Sequence, residues 1–168
     1  MNRGYSREWY IRKAKRIREV LGSECSISSD MITGFCTESE EDHNDTLTLM
    51  DEVIFDFSYM FFYSERPGTL AAKKWNDDVS SEVKKARLDE IINKQRMHSL
   101  ERNRQSVGKV FEVLVEGVSK RSENFLQGRN TYNKVIVFQK DGIRKGEYVK
   151  VLVEECTGGT LIGKVVGR

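Results

Sequence analysis

The sequence predicts an α/β segment followed by a small all-β module, and three observations carry that expectation. Over residues 1–76 the runs alternate helix, strand, helix, strand, the order of right-handed α/β units around a parallel sheet. From Val107 the texture changes to short β-rich runs at 109–118, 134–138, 148–156 and 160–166. Glycines at 117, 128, 142, 146, 158, 159 and 163 punctuate them, which predicts an antiparallel barrel of the OB type with four or five strands. The charge divides in the same place. Residues 1–104 carry 17 Lys/Arg against 19 Asp/Glu, whereas 105–168 carry 11 against 7. A basic module beside an acidic body suits a polyanion partner, although a solvated surface explains the same mild excess.

Each element has a local reason. Ser6 can cap a helix over 6–21, with Glu8 in its first turn and Gly22 to end it. Trp9, Ala14, Ile17, Val20 and Leu21 form its apolar stripe, and Arg12, Lys13, Lys15, Arg16 and Arg18 cover the remainder, a basic face that can stay solvated or touch RNA. Residues 25–34 read as a strand. A helix over 40–53 follows, with Leu47, Leu49, Met50 and Val53 inside and a capping box of Ser39 and Asp42. The aromatic run 55–63 reads as a buried strand in which Phe57, Tyr59 and Phe61 fill the core. Residues 64–76 form a loop around Pro67-Gly68. A charged connecting helix starts at Asp77 or Asp78 and runs to about Arg104, burying Val83, Leu88, Ile91, Ile92 and Leu100. The domains expected are 1–76, the connecting helix 77–104, and 105–168.

Several function classes are excluded early. Cys25, Cys36 and Cys156 lack the close spacing of a zinc or iron–sulfur loop, and their odd number argues against a disulfide framework, so a reducing cytoplasm fits. No apolar run reaches the roughly 20 residues that span a bilayer. His43 and His98 sit on polar helical faces without ligand-spaced partners. A parallel sheet of only two strands cannot bury its own faces and edges, so residues 1–76 are expected to be the later part of a larger fold.

The junction 28–42 draws the chemistry, because α/β folds place ligands beyond the carboxyl ends of strands. Here the residues resemble a known family. Ser29-Asp30-Met31-Ile32-Thr33-Gly34-Phe35-Cys36-Thr37-Glu38-Ser39-Glu40-Glu41-Asp42 is similar to a late barrel strand and turn of radical-SAM methylthiotransferases. Tyr63-Ser64-Glu65-Arg66-Pro67-Gly68-Thr69 with Ala71-Ala72 resembles the next strand end, and Asn2-Arg3 with Tyr5 resembles the segment before the first helix. Leu114-Val115-Glu116-Gly117-Val118-Ser119-Lys120, Gly128-Arg129-Asn130 and Asn133-Lys134-Val135 resemble the TRAM domain, the family's C-terminal RNA-binding module. Arg66 separates the chain from the RimO type, which acts on a ribosomal protein; a sister type that modifies threonylcarbamoyl-adenosine in tRNA shares the arginine, and the tail pattern favours the MiaB type, which acts on tRNA.

The resemblance implies the C-terminal part of a partial, TIM-like radical-SAM barrel followed by an OB-like TRAM barrel. It implies S-adenosylmethionine and [4Fe-4S] clusters as cofactors. It also implies tRNA as partner at the anticodon stem-loop, with no DNA or membrane, and addition of a methylthio group to carbon 2 of N6-isopentenyladenosine. Ser29, Asp30, Ile32, Gly34, Tyr63, Ser64 and Arg66 would face S-adenosylmethionine, with Glu38 shaping the pocket. Lys109, Lys120, Arg121, Arg129, Asn133 and Lys134 would hold RNA, with Phe125 or Tyr132 stacking a base, while Phe111 and Phe138 fill the core. The family's cluster cysteines and N-terminal half are missing from this sequence. The chain alone is therefore expected to be inactive, the alternative being a stand-alone RNA-binding TRAM module with a vestigial barrel segment. Iron after anaerobic reconstitution of the 168-residue chain should be near zero; a bound cubane cluster would contradict this.

Overall fold

The structure is a computed structural model that describes residues 3–168; Asn2 of the Asn-Arg-x-Tyr segment lies outside the described residues. In chain order the elements are α1 (Arg7–Leu21), β1 (Ser28–Thr33), α2 (Glu40–Val53), β2 (Phe57–Phe62), α3 (Leu70–Lys74), α4 (Ser81–Arg104), β3 (Val110–Ser119), β4 (Ser122–Asn130), β5 (Val135–Gln139), β6 (Tyr148–Cys156) and β7 (Leu161–Gly167). They form two compact units, one up to Ser23 with Ile27–His98, the other Glu24–Ser26 with Ser99–Arg168.

In the first unit β1 and β2 pair in parallel, from Ser28 opposite Phe57 to Thr33 opposite Phe62. Ala14, Met31, Met50, Val53, Phe55 and Ile91 form the buried core, with Tyr10, Ile11, Leu47 and Met60 packed against it. Helices therefore cover the face that carries Met31 and Met60. On the other face Ile32, Tyr59 and Phe61 are 39%, 62% and 56% exposed. This corrects the expectation of a β2 strand buried on both faces: its aromatic alternation is real, but among the described residues nothing in the unit covers the second face.

The helices also differ from their expected faces. The inward side of α1 is Tyr10, Ile11 and Ala14, whereas Trp9, Ile17, Val20 and Leu21 are exposed. α4 buries Lys84, Arg87, Ile91, Gln95 and His98, a helically spaced stripe that is mostly polar. Val83 is exposed, and Leu88, Ile92 and Leu100 are half-buried. An apolar-stripe rule misses such a face because its polar groups are satisfied by partners: Gln95 donates to the Phe55 carbonyl at 2.9 Å and accepts from Ser58 at 2.9 Å. His43 and His98 are likewise buried, against Glu90 at 2.8 Å and Asp51 at 3.1 Å, and do not sit on solvated faces. The expected loop 64–76 contains the short helix α3, capped by Thr69. The caps at Ser6 and Gly22 and the Ser39–Asp42 capping box are present.

The second unit holds a closed barrel with the order β3-β4-β5-β7-β6. All its neighbour pairs are antiparallel except β5–β7, which is parallel, so the barrel is mixed where an antiparallel one is expected. β4 is the strand absent from the sequence-based runs, since Ser122–Asn130 is polar and contains Gly128. Its second half alternates nonetheless, with Leu126, Gly128 and Asn130 turned inward. Phe111, Val113, Val115, Ile136, Phe138, Val149, Val151 and Leu161 belong to the barrel core. Tyr132 packs on that core and meets Phe111 edge-on at 6.2 Å, and Phe125 is half-buried, so neither is the freely exposed ring expected for base stacking.

A Cβ at Gly128 would lie 2.2 Å from the Leu114 carbonyl oxygen, whereas one at Gly159 would meet nothing within 4 Å. Gly128→Ala should cost about 3 kcal/mol in urea unfolding, and Gly159→Ala less than about 0.5 kcal/mol. Equal effects would contradict the register of β3 with β4.

Candidate functional site

The carboxyl ends of β1 and β2 are held by one acidic side chain. Glu38 accepts from the Thr33 hydroxyl at 3.2 Å, the Gly34 N–H at 2.8 Å and the Phe35 N–H at 3.4 Å. Arg87 of α4, buried, donates through Nη1 to the Glu38 carboxylate and carbonyl, both at 3.0 Å, and through Nη2 to Glu40 at 2.9 Å. The hydrogen bond from Arg87 holds the exposed Glu40 carboxyl below its usual range. The six-residue loop 34–39 is thus tied to a strand, a helix start and a second helix through Glu38 and the two ion pairs of Arg87. Charge-assisted bonds to a carboxylate are the strong kind, and here they converge on a largely buried one.

The loop backbone is unusual. Gly34 has φ +68, and a Cβ there would lie 2.4 Å from Cγ of Lys84. Gly34 therefore answers to a close approach of the protein's own lysine. Thr37, a β-branched residue, has φ +67, and its N–H donates to Asp78 at 2.7 Å. Such backbone strain in a non-glycine residue concentrates at functional loops.

The residues expected to face S-adenosylmethionine separate into groups. Asp30 and Ile32 lie on the open face of β1, opposite Tyr59 and Phe61. Ser64 and Arg66 are exposed beyond the end of β2. Ser29 alternates to the helix-covered side, where the Tyr10 hydroxyl donates to it at 3.3 Å. Tyr63 is tied into the loop: its N–H donates to the Thr33 carbonyl at 2.8 Å, its ring meets Phe35 edge-on at 4.9 Å, and Lys84 Nζ lies 5.3 Å from the ring centroid. The Cys36 thiol beside its hydroxyl, together with burial, pushes the phenol up to about 12. Lys84 in turn pairs with Asp77 at 2.6 Å. Arg87 and Lys84 are functional-loop partners that an apolar-stripe reading of α4 passes over; their spacing at three residues, aligned with Ile91, is the signal that was available.

In the barrel the expected RNA residues do not form one cluster. Lys120 and Arg121 are exposed at the turn between β3 and β4. At the opposite end of β4, Arg129 donates to the Asn133 carbonyl at 2.9 Å and its side-chain oxygen at 3.0 Å, and lies 3.4 Å from Glu116. Lys109 pairs with Glu24. Lys134 is half-buried and donates to the Arg102 carbonyl at 3.1 Å and Ser106 at 3.3 Å, so it closes the end of α4. Tyr148, 60% exposed, stands opposite Leu114, which stands opposite Arg129. That row carries an exposed ring and a cation on either side of Leu114, an alignment set by the register of three strands.

No three His, Cys, Asp or Glu side chains converge as a metal site among the described residues, and the three cysteines are separate and free. The side chains present do not fit a thiolate-bound cluster. No helix among the described residues is long and apolar enough to cross a membrane.

Arg87→Ala would leave the buried Glu38 carboxylate without its cation and should cost about 3 kcal/mol. Amide exchange at Gly34 and Phe35 should accelerate in the variant. Unchanged exchange there would show that Glu38 does not hold the loop.

Residues 104–166 match the TRAM domain family. A protein of Amoebophilus asiaticus named tRNA-2-methylthio-N(6)-dimethylallyladenosine synthase is 59% identical over 168 residues, all of this chain and 35% of that protein. Proteins of the same name from Porphyromonas gingivalis and Karelsulcia muelleri are 49% and 47% identical over 99% and 98% of this chain, each match covering 36% of the relative. The chain is thus similar along essentially its whole length to proteins of that name, and it spans about 35% of theirs.

Proposed function

We propose that the chain is the C-terminal part of a MiaB-type tRNA methylthiotransferase. That enzyme adds a methylthio group to carbon 2 of N6-isopentenyladenosine beside the anticodon. The observation that carries this reading is the open face of the β1–β2 sheet, where Ile32, Tyr59 and Phe61 stand exposed next to a braced strand end. A parallel sheet needs cover on both faces, and further barrel strands outside this chain would supply it. Asp30, Ile32, Ser64 and Arg66 then form one side of the S-adenosylmethionine pocket, Gly34 and Tyr63 shape its rim, and Ser29 supports it from behind through Tyr10. The iron–sulfur clusters that this chemistry uses belong to parts of the enzyme outside these residues.

The barrel unit is the tRNA-binding part in this reading, at the anticodon stem-loop. Lys120 with Arg121, and Arg129 with Asn133 and Tyr148, are its phosphate and base contacts. Lys109 and Lys134 serve the fold first. A second reading, a stand-alone RNA-binding module, is favoured by the closed core of the barrel, which is complete without β1 and β2.

Titration of an unmodified tRNA anticodon stem-loop at several salt concentrations tests the RNA reading. Affinity should fall steeply with salt, and Lys120→Glu with Arg121→Glu should lower the log–log slope by about 2. Absence of binding even at low salt would overturn it.

A further inference from the structure

We propose that the outer face of α1 is a second RNA-contacting surface, with Trp9 as a base-stacking ring and Arg12, Lys13 and Arg16 as phosphate partners. The proposal rests on the tRNA-binding reading and adds to it a site on the first unit. α1 uses its cations in two ways. Arg7 donates to Thr48 at 2.8 Å, Lys15 pairs with Glu52 at 2.7 Å, and Arg18 donates to the Ile54 carbonyl at 2.8 Å. Those three grip α2 and the chain after it, and with Tyr10, Ile11 and Ala14 they define the inward side.

The outward side is different. Trp9, Arg12, Lys13 and Arg16 are spaced i, i+3, i+4 and i+7, which places them on one face. Arg12 and Lys13 form no ion pair among the described residues, and Arg16 shares only the exposed Glu19 at 3.0 Å. Trp9 is 42% exposed. Its ring stacks on Tyr5 at 5.4 Å, and Lys13 Nζ lies 5.4 Å from its centroid. These groups line a shallow concavity of about 610 Å³ together with Lys15 and Glu19. The ring is already set between a stacking partner and a cation.

The pairing of groups selects the ligand. An acidic protein segment would engage the cations and leave the ring idle. A lipid surface would also engage Ile17, Val20 and Leu21, exposed on the same helix, but it offers no base to stack on the Trp9 ring. A single-stranded or looped RNA presents both a phosphate run and flat bases, the two features that an aromatic ring set among cations recognises.

The chain has two tryptophans, Trp9 and Trp75, so Trp75→Phe leaves Trp9 as the sole reporter. Anisotropy of a labelled anticodon stem-loop measures binding while Trp9 emission reports stacking. The expected result is quenching of Trp9 with the same midpoint as the anisotropy. Trp9→Ala should then weaken binding about tenfold and Trp9→Phe much less. The triple change Arg12→Glu, Lys13→Glu and Arg16→Glu should reduce the salt slope by about 3, with far-UV circular dichroism reporting its fold. If that triple variant fails to fold, the quenching decides alone. RNA binding with unchanged Trp9 emission would overturn the proposal and leave the barrel reading standing. No binding at any salt would overturn both. Equal quenching by heparin, which has no bases, would overturn the stacking role.

Discussion

Parallel β-strands carry apolar side chains on both faces, and each face has to be taken out of water by something. In the first unit the face bearing Met31 and Met60 is covered by helices, and the face bearing Ile32, Tyr59 and Phe61 is not. Much else follows from that asymmetry. α1, α2 and α4 all contribute side chains to the covered side, which is why α4 brings polar groups such as Gln95 and Arg87 inward to satisfy backbone and carboxylate partners. The exposed aromatic face places the candidate site at an edge where the chain is chemically unfinished.

Glu38 links this constraint to function. By accepting from Thr33, Gly34 and Phe35 it fixes the strand end without help from a ligand, and Arg87 balances its charge away from water. A pre-braced loop needs less ordering when a ligand arrives. The left-handed backbone at Gly34 and Thr37 is tolerated because Lys84, Asp77 and Asp78 close around it. The glycine that suggested ligand approach in the sequence serves this internal packing as well.

Local signals in the sequence were mostly reliable. The caps at Ser6, Gly22 and Ser39, the helix at 40–53 and the alternation in β3, β6 and β7 follow from rules that depend on a few neighbouring residues. Signals that depend on which side meets a partner were not. Trp9 and Ile17 looked like core because they are apolar at helical spacing, yet Tyr10, Ile11 and Ala14 hold that place. The polar Lys84, Arg87 and His98 are buried by partners that a stripe of apolar residues does not reveal: Asp77 is seven residues away, and Glu38 and Asp51 are 49 and 47 residues away in sequence. β4 escaped notice because an inward glycine at 128, not an apolar residue, makes the close crossing with β3. For the candidate site, the strand ends were legible as motifs, but the side to which Ser29 and Tyr63 turn was not.

The second face of the β1–β2 sheet is exposed among the described residues, and we propose that further barrel strands cover it in the whole protein. Thermal unfolding of the Phe61→Asp variant tests it most directly, paired with binding of a hydrophobic dye. A bare face predicts a midpoint within about 2 °C of the unsubstituted chain, because an exposed substitution changes stability little, together with weaker dye binding. A loss of about 10 °C or more, the mark of a charge forced into a packed core, would contradict the account.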